Sequence, residues 1–221
     1  MPTPDPASTS RASGWAEITT PDELVGVLGV PSDRARDKVR MALLPVDRDW
    51  LAASPFCVLA TASATGACDA SPKGDPPGSL VHVLDDRTIA LAERPGNRRA
   101  DGYRNILENP RVGLNFLIPG RGDTLRVNGR GRLVSDAPFF DELAVKGHRP
   151  LLAVVVEIDE IFFHCAKAFL RSGLWQPETW DPEARVPRRA VIAREVEPTG
   201  MTVEQLDDYY APENYGKSLY A

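Results

Sequence analysis

The chain has 221 residues, of which 43% are hydrophobic, and carries a formal net charge of −5. That length suits one large domain, or one domain with arms, and the hydrophobic share is enough for a real core. An acidic surface excludes a general nucleic-acid binder, and no apolar run reaches the length of a membrane span.

Cys57, Cys68 and Cys165 are odd in number, widely spaced and without a C-x-x-C motif, so they read as reduced thiols. The opening residues lack the apolar segment of a signal peptide. Together these features predict a cytoplasmic protein with no partner among nucleic acids or membranes.

In chain order, residues 1–14 are rich in Pro, Ser and Thr and read as a disordered arm. Residues 15–53 read as a helical segment. Thr20 caps a helix with Pro21 at its first position and Glu23 three residues beyond the cap. Ser32 caps a second helix, and residues 46–53 form a third.

Residues 54–176 carry short strand-like runs at 56–61, 68–71, 81–84, 88–92, 111–118, 124–134 and 151–163. Irregular chain is expected at 73–78, and short helices at 101–107 and 139–145. Close strand spacing and short turns predict antiparallel pairing in a barrel rather than a doubly wound sheet. Residues 177–221 read as an extension packing on the barrel or on a dimer partner. It includes a helix capped by Thr202 and Gln205 and ended by Pro212.

The most informative stretch is 95–134, PGNRRADGYRNILENPRVGLNFLIPGRGDTLRVNGRGRLV. A Gly-Asn-Arg-Arg turn at 96–99 lies between a strand and a helix. Arg98 and Arg99 can bind phosphate oxygens through paired, charge-assisted hydrogen bonds, and free N–H groups at a helix start add to that pull. Basic residues concentrated here, in an otherwise acidic chain, favour a small anionic ligand over a polyanion. Ser71 and Lys73 share one face where a strand ends. Thr124, Arg126 and Asn128 share one face of a later strand, with Leu125 and Val127 on the other.

The order of strand, Gly-x-Arg-basic turn, helix, Asn-Pro-Arg, strand, hairpin and Gly-rich strand resembles the FMN-binding split β-barrel family, the pyridoxamine 5′-phosphate oxidase-like proteins. The resemblance rests on IALAERPGNRRADGYRNILENPRVGLNF and TLRVNGRGRLVSD, with SPKGD and RSGLW as weaker matches, and spans roughly residues 51–175.

It implies a mainly β (α+β) fold, a six-stranded antiparallel split β-barrel with a few peripheral short helices, assembled as a homodimer with cofactor sites at the interface. It implies FMN as cofactor, with its phosphate on Ser71, Lys73, Asn97, Arg98 and Arg99, where Asn97 replaces a Ser of the oxidases. It further implies a ring on the Thr124, Arg126 and Asn128 face, with Arg171 and Trp175 contributed across the interface. Asp75 would orient Lys73 or meet the ring's N–H edge.

The activity implied is that of an FMN-dependent oxidoreductase. The C-terminal Arg/His pattern by which the oxidases hold their substrate does not occur here, so the substrate is left open. Two alternatives stand beside this reading. One is an F420-dependent reductase using Arg126, Arg130 and Arg132 for a longer anionic tail. The other is a non-enzymatic flavin or haem binder in which His164 is a ligand. Scattered His and Cys residues, without ligand spacing, point to no dedicated metal site.

Overall fold

The computed structural model describes residues 14–181 and 185–220, so the arm expected at 1–14 lies almost wholly outside the described residues. The chain divides into two compact units, residues 1–38 and 39–221. The first holds α1 (Pro21–Leu28) and α2 (Asp33–Arg36). In α1 the Thr20 hydroxyl accepts from the Glu23 amide, and the Glu23 carboxylate accepts from the Thr20 amide at 3.1 Å, the reciprocal box read from the sequence.

The second unit is a seven-stranded sheet, antiparallel throughout and curled into a half-barrel. Its strands are β1 (Phe56–Ala62), β2 (Cys68–Gly74), β3 (Val81–Val83), β4 (Thr88–Glu93), β5 (Arg111–Leu117), β6 (Thr124–Val134) and β7 (Leu152–His164). Their order across the sheet is β2-β1-β5-β6-β7-β4-β3. All seven strand-like runs of the sequence form strands, the short β3 pairing with β4, Val81 opposite Leu91, so the six strands implied by the family resemblance are one short.

β2 also runs further than expected, through Pro72 to Gly74. Proline lacks the N–H a central strand would need, but β2 is the end strand and pairs only with β1. The helix expected at 139–145 is instead a single 3₁₀ turn at Pro138–Phe140 followed by turns. Phe140 and Leu143 are fully buried against Ala90, Ala92, Ala153 and Val155, so packing on the sheet overrides helical propensity there.

Alternation sets the core. Leu59, Leu114, Phe116, Leu125 and Val127 face into the curl with Ile89, Leu91, Val154, Val156, Ile158 and Ile161. Two helices close the curl: α3 (Pro45–Ala53) inserts Trp50 and Leu51, and α4 (Asp101–Glu108) inserts Ile106.

α3 is held by Asp47, whose fully buried carboxylate accepts from the Leu44 amide at 2.7 Å and from Arg40 at 2.9 Å. The Arg40 backbone in turn exchanges hydrogen bonds with Ile161 of β7. Among the described residues, no helix is long and apolar enough to cross a membrane.

β6 and β7 shift register at Asn128/Gly129. A Cβ at Gly129 would lie 2.1 Å from the Glu157 carbonyl oxygen, so only glycine fits at that bulge. Gly129→Ala should destabilise the barrel by roughly 1–3 kcal/mol, measured by urea unfolding. An unchanged midpoint would mean the strands can part there without cost.

Candidate functional site

Strand alternation sorts the candidate residues onto two faces. Leu59 of β1 points into the curl, and its cross-strand partner Ser71 shares that face, as Lys73 does with Cys57. Val58 and Ala60 point the other way, together with Gly113, Asn115, Arg126 and Asn128, through the pairs Val58↔Asn115, Gly113↔Asn128 and Asn115↔Arg126. One cavity lies on each side.

The first cavity, about 460 Å³, is lined by β2, the end of β4, the 94–100 turn and the start of α4. It brings together Ser71, Lys73, Asn97, Arg98 and Arg99, residues spread over nearly thirty positions of sequence. Four cations line it, and three are already matched to carboxylates.

Lys73 Nζ donates to Glu93 Oε2 at 2.8 Å and to the Tyr103 hydroxyl at 2.6 Å. Arg94 Nε donates to Asp75 Oδ2 at 2.7 Å, and Arg99 Nε to Asp101 Oδ2 at 2.7 Å. Among the described residues Arg98 has neither a carboxylate nor a hydrogen-bond partner.

The backbone around Arg98 is unusual. Arg98 and Ala100 have φ of 59° and 57°, the left-handed region that side chains with a Cβ avoid at a cost of about 1–2 kcal/mol. Asn97 Oδ1 accepts from the Arg99 amide at 3.1 Å and so pins the turn. Asn97 therefore supports the turn through its oxygen, which leaves its NH2 group to face the cavity it lines. Alternation of backbone sense over 98–100 is the geometry that gathers N–H groups around an anion. Asp101 and Gly102, both lining the cavity, add first-turn amides that have no partner within α4. A Cβ at Gly102 would lie 2.9 Å from Asp69 Oδ2, so a larger residue there would have to push the Asp69 carboxylate aside.

Two expectations change. Lys73 is a partly buried member of a Lys73–Glu93–Tyr103 cluster, not a free cation, and Asp75 pairs with Arg94 rather than orienting Lys73. Glu93, Arg94 and Tyr103 escaped the sequence reading because their partners lie 19 to 54 positions away, although a Glu-Arg pair directly before the Gly-Asn-Arg-Arg turn was visible. Burial, and then the hydrogen bond to Glu93, push the Tyr103 phenol well above the ordinary tyrosine range.

The second cavity, about 480 Å³, is lined by Thr124, Arg126, Asn128, Asn115, His164 and Cys165, with Ala168 and Phe169 of α5 (Lys167–Ser172) beside them. Arg126 lies over the Phe162 ring at 5.1 Å, and Asn128 donates to Glu160 at 3.1 Å. Asn115 Oδ1 is buried without a hydrogen-bond partner.

Trp175 lines neither cavity. Its ring stacks on Phe169 at 5.8 Å, and its Nε1 donates to the Arg121 carbonyl at 2.6 Å. Arg171 sits exposed on α5. Within one chain the ten candidate residues thus fall into a group of five, a group of three and a flanking pair, not one site. The Arg126, Arg130 and Arg132 series is divided too: Arg130 and Arg132 line a separate cavity with Glu157, to which Arg130 is paired.

The family model described as pyridoxamine 5′-phosphate oxidase matches residues 44–165. No curated protein matches the chain. Among solved structures, the chain is similar to the HupZ protein of Group A Streptococcus, at 17% identity over 55% of this chain and 93% of that one, TM-score 0.44. A candidate pyridoxamine 5′-phosphate oxidase from Lactobacillus delbrueckii shares 22% identity over 56% and 95%, TM-score 0.44. An FMN-binding protein from Syntrophomonas wolfei shares 17% over 53% and 88%, TM-score 0.39.

Two measurements probe the first cavity's floor. Removing one partner of the Lys73–Glu93 pair, by Glu93→Gln or Lys73→Met, should cost about 2 kcal/mol, while the double variant should lose less than the sum. Additive losses in a denaturation cycle would show that the two do not interact. Burial pushes the neighbouring Cys57 thiol up to about 12, so its thiolate is scarce until the pH approaches that value. At pH 8 iodoacetamide should label exposed Cys68 and spare Cys57 until the chain is unfolded. Labelling of Cys57 in the folded protein would show the floor to be open.

Proposed function

The chain belongs to the pyridoxamine 5′-phosphate oxidase family, more than half of its length matching the family model, and on that premise we propose that it binds FMN in the first cavity and acts as an oxidoreductase on a small molecule. The observation that carries this reading is Arg98. It is the one cation of the cavity without a carboxylate among the described residues, held in a strained left-handed turn beside first-turn amides. Strain of this kind is retained where the surrounding structure needs the geometry, and the geometry suits a phosphate.

Arg99 would join by releasing Asp101. That exchange is inexpensive, because the Arg99 side chain is 71% exposed and exposed ion pairs are worth at most about 1 kcal/mol. Ser71 and Tyr103 offer hydroxyls along the cavity wall, and Glu93 offers an acceptor, a set suited to a polyol chain leading away from the phosphate. Bound flavin would supply hydride or electron transfer; the protein's part is to fix its position and exclude water.

The polar groups suited to the ring edge lie in the second cavity, through the sheet from the first. The buried, unpartnered Asn115 oxygen fits an N–H of such a ring, and Arg126 would favour negative charge on it. We therefore read the complete site as shared: first cavity from one protomer, second cavity with Arg171 and Trp175 from its partner, in a homodimer. A site split across a two-fold axis links cofactor binding to dimerisation.

Arg98→Ala combined with Arg99→Ala should weaken FMN binding by about a hundredfold or more, as expected for two charge-assisted contacts, with an unchanged melting temperature in the cofactor-free protein. Fluorescence titration of FMN measures this. Equal affinity in wild type and double variant would overturn the phosphate assignment, and uptake of F420 in place of FMN would keep the cavity and change the cofactor. Sedimentation of the FMN-loaded protein at the mass of one chain would remove the shared site.

A further inference from the structure

β2 and β4 lie near opposite ends of the sheet and share no backbone ladder, yet the curl brings their ends together. Two ion pairs cross that seam, Lys73–Glu93 and Asp75–Arg94. The second is deeply placed, with the Asp75 side chain 1% and Arg94 11% exposed. Arg94 also donates to the Leu143 carbonyl at 2.6 Å and lines the first cavity. One carboxylate oxygen of Asp75 is used by Arg94. The other accepts, at 3.1 Å, from the hydroxyl of Tyr220, 145 positions along the chain.

The Tyr220 ring sits in a polar box. The Arg94 guanidinium lies 5.6 Å and the Lys146 ammonium 5.7 Å from its centroid, and the His148 ring stacks on it at 6.5 Å. Cations over an aromatic face and an acceptor at the hydroxyl are what a phenol prefers, and a plain hydrocarbon would gain little from them. The residues come from three places, the end of β2, the end of β4 and the 146–148 turn, which meet only here. The segment carrying Tyr220 reaches the seam after α6 (Arg189–Val196), α7 (Val203–Tyr210) and α8 (Pro212–Tyr215).

We infer that Asp75, Arg94, Lys146 and His148 form a phenol-binding box, and that Tyr220 docks in it as a latch across the seam of the half-barrel, holding the rim of the first cavity. Docking keeps Arg94 against Asp75 and Leu143, so the turn that begins at Pro95 has a fixed root. Loss of the latch frees the seam without unfolding the sheet. The inference stands on the ion pairs and the box alone and does not require the cofactor to be FMN.

Alkali acts on the same contact. Burial, and then the hydrogen bond to Asp75, raise the Tyr220 phenol above the ordinary tyrosine range. The docked state therefore favours the protonated phenol. Docking is complete below the free tyrosine value of about 10 and is lost as the pH rises above it. The groups facing Tyr220 are Asp75, Arg94, Lys146 and His148; Asp75 opposes a phenolate, whereas Arg94 favours one.

The test is amide hydrogen exchange on the cofactor-free full-length chain. The probes are the bonded seam amides of Asp75, Val145, His148 and Leu151, whose acceptors are Pro55, His148, Val145 and Glu93. Tyr220→Ala should speed their exchange by roughly thirtyfold or more, the equivalent of one cation–π contact and one charged hydrogen bond, and Tyr220→Phe should fall between. Amides of β5 and β6 should be unaffected, which shows that the variants are folded. Millimolar p-cresol added to Tyr220→Ala should restore part of the protection. Seam amides that exchange at the wild-type rate in Tyr220→Ala would overturn the latch, as would faster exchange confined to α7 and α8.

Discussion

The half-barrel is joined along its open side by charge. Backbone ladders link every neighbouring pair of strands; β2 and β4 share none, and among the described residues the ion pairs Lys73–Glu93 and Asp75–Arg94 join their ends. Partly buried ions are tolerated only when matched, since each loses hydration that its partner must replace. Each pair therefore constrains where the other strand's end can lie, and so where the following turn begins. The 94–100 turn hangs from this seam, and the first cavity is the space that the seam leaves between β2 and α4.

A second constraint is the two-fold alternation of β strands. Cross-strand pairing commits Leu59, Ser71 and Leu114 to one face and Val58, Asn115, Arg126 and Asn128 to the other. The inward face becomes core and first cavity, and the outward face becomes the second cavity. Polar residues that look like one site along the sequence are therefore divided by the thickness of the sheet. The same division makes a shared, two-copy site a coherent reading of this chain's chemistry, because both halves are present in each copy but face apart.

The balance of charge in the first cavity also has a physical logic. Three of its cations are held by carboxylates of the same chain, which lowers the field that the cavity presents to any passing anion. Arg98 keeps its charge uncompensated in a turn that costs backbone strain. A cavity of this kind would suit an anion that can meet one unmatched guanidinium and displace one weakly held neighbour, rather than collecting anions generally.

Local features were legible in the sequence because short-range physics decides them. The Thr20 and Thr202 caps, the span of β6, and the strand–turn–helix around Arg98 and Arg99 follow from hydrogen bonding and periodicity within a few residues. The 139–145 segment was misread because burial of Phe140 and Leu143 on the sheet outweighs local propensity. The partners of Lys73, Arg94 and Asp75 were not legible, since the Glu93 carboxylate from β4, the Asp75 carboxylate after β2, a phenol from α4 and the Tyr220 hydroxyl meet them only when the sheet curls. The sequence by itself determined strand content, antiparallel connection, the family and the basic turn, all set by neighbouring residues. Tertiary structure alone decided which charges are matched, which remain open and which face each residue serves, because those depend on distances that no linear spacing contains.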